Sequence, residues 1–328
     1  MSGEALPRSR EWDAGLLRPE WHMRFSPPEL TSLDVPDEWV DLVERLPSRG
    51  RIVVFGPTDS GKTAFCWWLA EELSSQGTVV LVDADLGQSR VGPPACAGWL
   101  KYGSDQGEFE FVGDVSPASR PATAVAATVR MALRGQRLAD ANWIVVDTTG
   151  YVDGPGAGQL KAAKAQLLSP ATVIALGPPG RLDHLRWPWR GREEVRWLRL
   201  AVAPACRAKS TEMRREWRTE LFREWLADSR SHEFALDHLA LQHMPPDSCL
   251  QRLHEAGELD GLLVGLDDHS GVGLCVGLLE ELDVEATYAR VWAPPNTAEA
   301  RGLRLGALRL HRDGSPRSEE AVSWQSNT

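Results

Sequence analysis

Eight consecutive residues, Gly56-Pro57-Thr58-Asp59-Ser60-Gly61-Lys62-Thr63, carry the spacing G-x-x-x-x-G-K-S/T. A loop of this kind turns its backbone N–H groups toward a phosphate, and the helix that follows adds its dipole. Lys62 would reach the β- and γ-phosphates of a nucleotide, and Thr63 would offer its hydroxyl to Mg²⁺. Downstream, Asp83 and Asp85 are separated by one residue. In an extended segment that spacing puts both carboxylates on one face. One can hold Mg²⁺, often through water, while the other accepts a proton. Capping the next turn is their bland alternative. Asp147 stands where a second metal anchor is more usual, so the metal ligand stays open among the three. Arg207, Lys209, Arg214, Arg215 and Arg218 could supply the mobile positive charge that phosphoryl transfer needs.

The elements that must position these residues are legible as apolar runs. Arg51–Phe55 reads as a buried strand before the glycine loop, and Ala64–Leu73 as the helix after it. Thr78–Val82 is a second strand ending at Asp83-Ala84-Asp85-Leu86-Gly87-Gln88. Glu108–Val112 alternates like a strand, Ala122–Leu133 is an Ala-rich helix, and Trp143–Val146 is a strand ending in Asp147-Thr148-Thr149-Gly150-Tyr151. Gly158–Leu168 reads as a helix and Ala171–Leu176 as a strand. Such alternation predicts an α/β fold, a parallel sheet covered by helices on both faces, with ligands at the C-terminal strand ends. Residues 1–47 are expected to form an extended segment and a short helix at Asp37–Leu46. The phosphate-loop domain is expected over 48–230. Within it, about 181–230 is Arg-rich and includes a charged helix, Thr211–Ala227, with Met213, Trp217, Leu221 and Trp225 at helical spacing. Short strands and glycine turns predict a small C-terminal β domain over 231–312, and a disordered tail over 313–328.

Composition narrows the class. A chain of 328 residues with 25% charged and 42% apolar residues is ordinary for a soluble protein with more than one domain. No apolar run is long enough for a membrane span, and Met1–Arg10 lacks the apolar core of a signal peptide. Five scattered cysteines show no metal-ligand pairing and suit a reducing, cytoplasmic setting. The net charge of −10 is unevenly spread. Arg181–Arg230 holds thirteen basic and eight acidic residues, so that segment is +5 and the remainder −15. A local basic element on an acidic body can contact a polyanion, although a solvated helix face is the plainer reading. The chain has only five lysines, at 62, 101, 161, 164 and 209, among many arginines.

Four features in this order resemble the Clp/Grc type of polynucleotide 5′-hydroxyl kinase, whose members act in RNA 3′-end processing, tRNA splicing and ribosomal RNA maturation. They are the phosphate loop G-P-x-D-S-G-K-T, the run D-x-D-x-G-Q at Asp83–Gln88 followed by Pro93-Pro94, the turn T-x-G-W/Y at Thr148–Tyr151, and a lid similar to R-S-x-x-x-R-R at Lys209–Arg215. The likeness runs from about Val35 to the end of the lid and continues more weakly at Gly302–Gly306. It implies transfer of the ATP γ-phosphate to the 5′-hydroxyl of single-stranded or end-accessible RNA or DNA, with ATP and Mg²⁺ as cofactors. It implies Asp85 as base or water positioner, Tyr151 as the clasp on which the terminal base stacks, and Lys209 and Arg214 as lid cations. Gln88, Thr148 and Gly150 would line the substrate side, and Thr63, Asp83 and Asp85 the metal. Two residues depart from the family: Tyr151 replaces the usual Trp with a smaller stacking face, and Lys209 replaces an Arg that could bind phosphate bidentately. An ATP-binding scaffold without turnover and a P-loop GTPase are the alternatives; the sequence has no N-K-x-D guanine-reading motif.

Overall fold

The computed structural model describes residues 23–31, 33–154, 156–242, 254–255, 257–283, 287–295 and 297–317. Two sheets organise the chain. The first contains β1 (Gly50–Phe55), β2 (Val79–Ala84), β3 (Cys96–Lys101), β4 (Gly107–Phe111), β5 (Trp143–Thr148), β6 (Thr172–Leu176) and β7 (Arg196–Leu200), in the order β4-β3-β2-β5-β1-β6-β7. The five strands from β2 to β7 in that order run parallel. Ile52, Val53, Val54 and Phe55 of β1 are fully buried, as are Ile144, Val145 and Val146 of β5, because both faces of the sheet are covered.

Helices α1 (Asp37–Arg45), α2 (Lys62–Ser74) and α5 (Thr211–Trp225) pack on one face. Helices α3 (Pro121–Leu138) and α4 (Ala157–Leu168), with a 3₁₀ helix at Asp183–Trp189, pack on the other. Apolar residues run all round α2 rather than down one stripe, and Phe65, Cys66, Trp67, Trp68, Leu69 and Ala70 are accordingly buried.

Two strands of this sheet escape the sequence reading. β3 and β4 form an antiparallel edge beyond β2, so the sheet is mixed on that side. β3 is buried almost throughout, so its sequence, Cys-Ala-Gly-Trp-Leu-Lys, lacks strand alternation. β7 is an edge strand with two arginines in five residues, a weak apolar signal.

The second sheet holds β8 (Arg230–Ala235), β9 (Ala240–Gln242), β10 (Leu262–Asp267), β11 (Gly273–Asp283), β12 (Tyr288–Ala293) and β13 (Gly302–Arg309), in the order β8-β12-β11-β10-β13-β9. The short strands expected over 231–312 are thus these six. The two sheets are joined by the Ala307 N–H, which donates to Gly113 O at 2.7 Å, and by a buried ion network. In that network Arg304 of β13 meets Asp267 of β10 and, at 3.0 Å, Glu110 of β4.

At the ends of the chain the expectations meet mixed outcomes. Residues 1–22 and 318–328 lie outside the described residues. Met23 is buried and Phe25 bridges to Val91 and stacks on Trp67 at 6.1 Å, so the segment before α1 is anchored on the first domain. Residues 313–317, expected to be disordered, instead form a turn. The Arg317 N–H donates to Arg309 O at 2.8 Å, and Leu310 bridges to Pro316. Gly314 lies against Phe222 of α5, so the turn is held by tertiary packing that composition does not reveal.

Candidate active site

The phosphate loop links β1 to α2. Gly61, the N-cap of α2, has φ +73°, a left-handed conformation that glycine adopts without a Cβ penalty. Lys62 is buried, and its Nζ donates to Pro57 O at 2.8 Å, closing the loop on its own lysine. The Thr63 hydroxyl donates to Asp147 Oδ2 at 2.6 Å. Asp147 Oδ1 and Ser60 Oγ are buried with no hydrogen-bond partner. Burial pushes the Asp147 carboxyl up to about 6, against the pull of the Lys62 ammonium. A hydroxyl and a carboxylate converging with one oxygen left unsatisfied fit a hard cation with oxygen ligands, and the unpartnered Ser60 hydroxyl fits a phosphate above the loop.

Asp83 and Asp85 do not share one role. β2 continues to Ala84, so Asp83 belongs to the strand and pairs in register with Asp147 of β5. Its Oδ1 accepts from Asp85 N at 2.9 Å; its Oδ2 accepts from Arg90 N at 2.6 Å and Val91 N at 3.2 Å. Burial next to Asp147 pushes its carboxyl up to about 8. Both oxygens of Asp83 are thus taken by loop amides. Asp83, expected among the metal ligands, is placed by these contacts as the peg of the 84–91 loop. Asp85 lies beyond the strand, half-buried, with Oδ1 accepting from Gly87 N at 3.3 Å.

The Thr148–Tyr151 turn sits beside the phosphate loop. A Cβ on Gly150 would lie 2.6 Å from Thr58 Cα, so only glycine allows the two loops this approach. Thr148 was expected to face substrate. Instead it is fully buried, donating to Val54 O at 2.6 Å and accepting from Lys161 Nζ at 2.7 Å. Lys161 also donates to Thr149 O. Thr148 thus ties β5 to β1, and its contribution is to aim the turn. Tyr151 is half-buried and borders a groove of about 480 Å³ lined by Pro121, Ala122 and Val125 of α3, by Gly156 at the N-cap of α4 and by Leu160 within it.

Lys161 and Lys164, one turn apart on α4, are both buried. Burial pushes the Lys161 ammonium well below its ordinary range, helped by Lys62 and Lys164. Lys164 Nζ has no hydrogen-bond partner, and burial brings it down to about 8 against the pull of Asp85 and Asp83. Sequence reasoning missed both. The available signal was rarity: four of the five lysines in this Arg-rich chain, Lys62, Lys161, Lys164 and Lys209, are gathered here.

The lid begins where Ser210 caps α5, its Oγ accepting from Met213 N at 3.1 Å. Asp59 of the phosphate loop receives it. The Asp59 carboxylate accepts from Lys209 N at 3.1 Å and pairs with the Arg214 guanidinium, and Asp59 O accepts from Cys206 Sγ at 2.9 Å. Lys209 Nζ lies 3.5 Å from Gln88 Oε1. Arg90, on the Asp83-held loop, stacks under Trp217 of α5 at 4.3 Å. Arg214 Nε is buried and unpartnered, leaving a donor free. Met213, expected on the apolar face, is 54% exposed, because the start of α5 overhangs the loop while Leu221 and Phe222 enter the core. The fold thus brings together the phosphate loop, Asp85, Gln88, Tyr151 and both lid cations at the C-terminal edge of the first sheet.

Residues 56–228 match the P-loop family of the mRNA cleavage and polyadenylation factor Clp1, about half of the chain. The chain belongs to this family. Among curated relatives, a polyribonucleotide 5′-hydroxyl-kinase of Pyrococcus furiosus is 26% identical over 86% of this chain and 94% of its own length. One of Thermococcus kodakarensis is 28% identical over 86% and 95%, and one of Methanocaldococcus jannaschii is 29% identical over 80% and 88%. The structure of a wild-type Clp1p–Pcf11p complex superposes with a TM-score of 0.62 at 12% identity, covering 83% of this chain and 79% of that one. A kinase domain of the Clp1 P-loop family implies ATP binding at the 56–63 loop. No described helix is long and apolar enough to cross a membrane.

Proposed function

We propose that this protein is an ATP-dependent polynucleotide 5′-hydroxyl kinase acting on RNA or DNA ends in RNA processing or repair. The observation that carries the reading is the lid resting on the phosphate loop, with Arg214 on Asp59 and Lys209 beside Gln88. That arrangement supplies cations to the point where charge develops during phosphoryl transfer. The loop amides and Lys62 hold the β- and γ-phosphates. Thr63 and Asp147 would hold Mg²⁺, which would supply positive charge against the phosphates. Asp85 orients the 5′-hydroxyl and takes its proton as the new oxygen–phosphorus bond forms and the bond to the β-phosphate oxygen breaks. Tyr151 stacks the terminal base at the mouth of the α3–α4 groove. The free thiols of Cys66, Cys96, Cys206 and Cys275 suit a cytoplasmic enzyme.

The test is incubation with γ-labelled ATP or GTP and matched oligonucleotides bearing 5′-hydroxyl or 5′-phosphate ends. Label should pass from ATP to the 5′-hydroxyl ends alone, and Lys62→Ala should abolish it. Absence of transfer by the wild type, or transfer undiminished in Lys62→Ala, sinks the reading.

A further inference from the structure

The stretch between β6 and β7 belongs to none of the four family features. Its 3₁₀ helix turns Leu185 and Trp189 into the core, where Trp189 packs on Phe55 at 6.0 Å and on Trp197 at 5.8 Å. The opposite side carries Trp187, 71% exposed and the only exposed aromatic among the described residues. A 3₁₀ helix repeats every three residues, so His184, Trp187 and Arg190 stand in one row with a step of about 6 Å per turn. Arg190 closes one side of the indole, its guanidinium 5.2 Å from the ring centroid.

The start of that row touches the clasp. His184 Nε2 lies 2.9 Å from the carbonyl oxygen of Val152, the residue after Tyr151. Arg181, one step earlier, pairs with Asp153. The row therefore leads from the Tyr151 turn to the Trp187 indole. From 181 to 199 the chain holds six arginines against three acidic residues, a local charge of +3 on an acidic protein. Of these, Arg181 and Arg199 are paired with Asp153 and Asp183, whereas Arg186 and Arg190 flank Trp187 on the exposed side. An exposed indole between arginines, beside a polyanion-binding mouth, has the make-up of a single-strand stacking platform.

We propose that Trp187, backed by Arg190 and flanked by Arg186, is a second base platform that stacks a nucleobase of the substrate strand downstream of its 5′-terminal nucleotide. The proposal rests on the kinase reading above, and it makes the enzyme's hold on a strand depend on length. Chains too short to reach Trp187 are held at Tyr151 alone, and longer single strands gain the second stack.

The test uses the full chain with Trp187→Ala, Trp187→Phe and Arg190→Glu. Each is assayed on a dinucleotide and on a longer single-stranded oligonucleotide, with direct binding of the long strand measured by fluorescence anisotropy. Loss of one stack should raise the KM and Kd of the long strand roughly 5- to 100-fold in Trp187→Ala. The KM values for ATP and for the dinucleotide should stay put. Trp187→Phe should retain most of the affinity, Arg190→Glu should lose it, and photo-crosslinking of the long strand should label Trp187. If the wild type binds the strand through Trp187 yet transfers no phosphate, the platform stands and the kinase reading falls. If long-strand affinity is unmoved in Trp187→Ala, or if all substrates and ATP weaken together, the platform is overturned and the surface is left to a protein partner.

Discussion

Asp83 and Asp85 are two residues apart, yet the fold gives them unrelated work. Asp83 anchors loop amides from beneath, while Asp85 stands beyond the strand end and accepts from the Gly87 N–H. Asp85→Asn should nearly abolish transfer with ATP binding intact, because it removes the base and keeps the size. Asp147→Asn should raise the Mg²⁺ concentration needed for activity, as the partner of Thr63. Asp83→Asn sets an amide N–H₂ against amide donors, and it should lower stability and loosen the 84–91 loop rather than shift the Mg²⁺ requirement. Mg²⁺ titrations of the three variants, with ATP binding and melting measured in parallel, separate these roles. Rescue of Asp83→Asn by excess Mg²⁺ with no rescue of Asp147→Asn would reverse the assignment.

Lys164 makes a different prediction at the same scale. The unfolded chain keeps this lysine protonated up to about 10.4, whereas the fold holds the proton only to about 8. The penalty is therefore complete below pH 8, shrinks between the two values and is gone above them. Its size is about 3 kcal/mol. Lys164→Met should stabilise the protein at pH 7 by up to that amount, with the advantage fading toward pH 10. Urea unfolding of both proteins at the two pH values measures it; an advantage independent of pH would mean that the methionine acts through packing alone.

At the scale of elements, the lid is held to the phosphate loop through Asp59. Arg214→Ala should lower kcat by a factor on the order of 10³, with a smaller effect on ATP affinity, since the arginine meets its full charge only in the transition state. Asp59→Asn removes the carboxylate that receives Arg214 and the Lys209 amide. The lid should then open more often, and limited proteolysis should cut the 201–210 connection faster than in the wild type. Unchanged cleavage would show that Trp217 on Arg90 suffices to keep α5 down.

At the scale of the molecule, the two sheets are joined by Arg304, which is buried between them. Its guanidinium serves Asp267 in the second sheet and Glu110 in the first, and Arg130 of α3 joins Glu110 at 2.9 Å. Burial still pushes the Asp267 carboxyl up to about 6 despite Arg304. Removing one partner of a buried ion network leaves uncompensated charge, so Arg304→Met should cost about 3–5 kcal/mol. Denaturant unfolding should remain a single transition in the wild type, and in the variant should shift to lower denaturant or split in two. A midpoint within error of the wild type would mean the seam is held by apolar packing.

The phosphate loop, the alternation of strands and helices, the D-x-D run, the T-x-G-Y turn and the lid helix were all determined by the sequence itself. Each is a local pattern, set by residue spacing within a few turns or one strand, and such patterns survive without knowledge of neighbours. Tertiary structure alone decided what joins them. Thr63 meets Asp147 across 84 positions, and Arg214 meets Asp59 across 155. No periodicity encodes such pairings. β3 and β7 were hidden for a related reason: the first is buried on both sides and the second lies at an edge, so neither shows the alternation that a half-buried strand displays. Lys161 and Lys164 look like surface residues in the sequence of α4. They become interior only because α4 crosses the sheet with that face down, over the turn that carries Thr148 and Thr149.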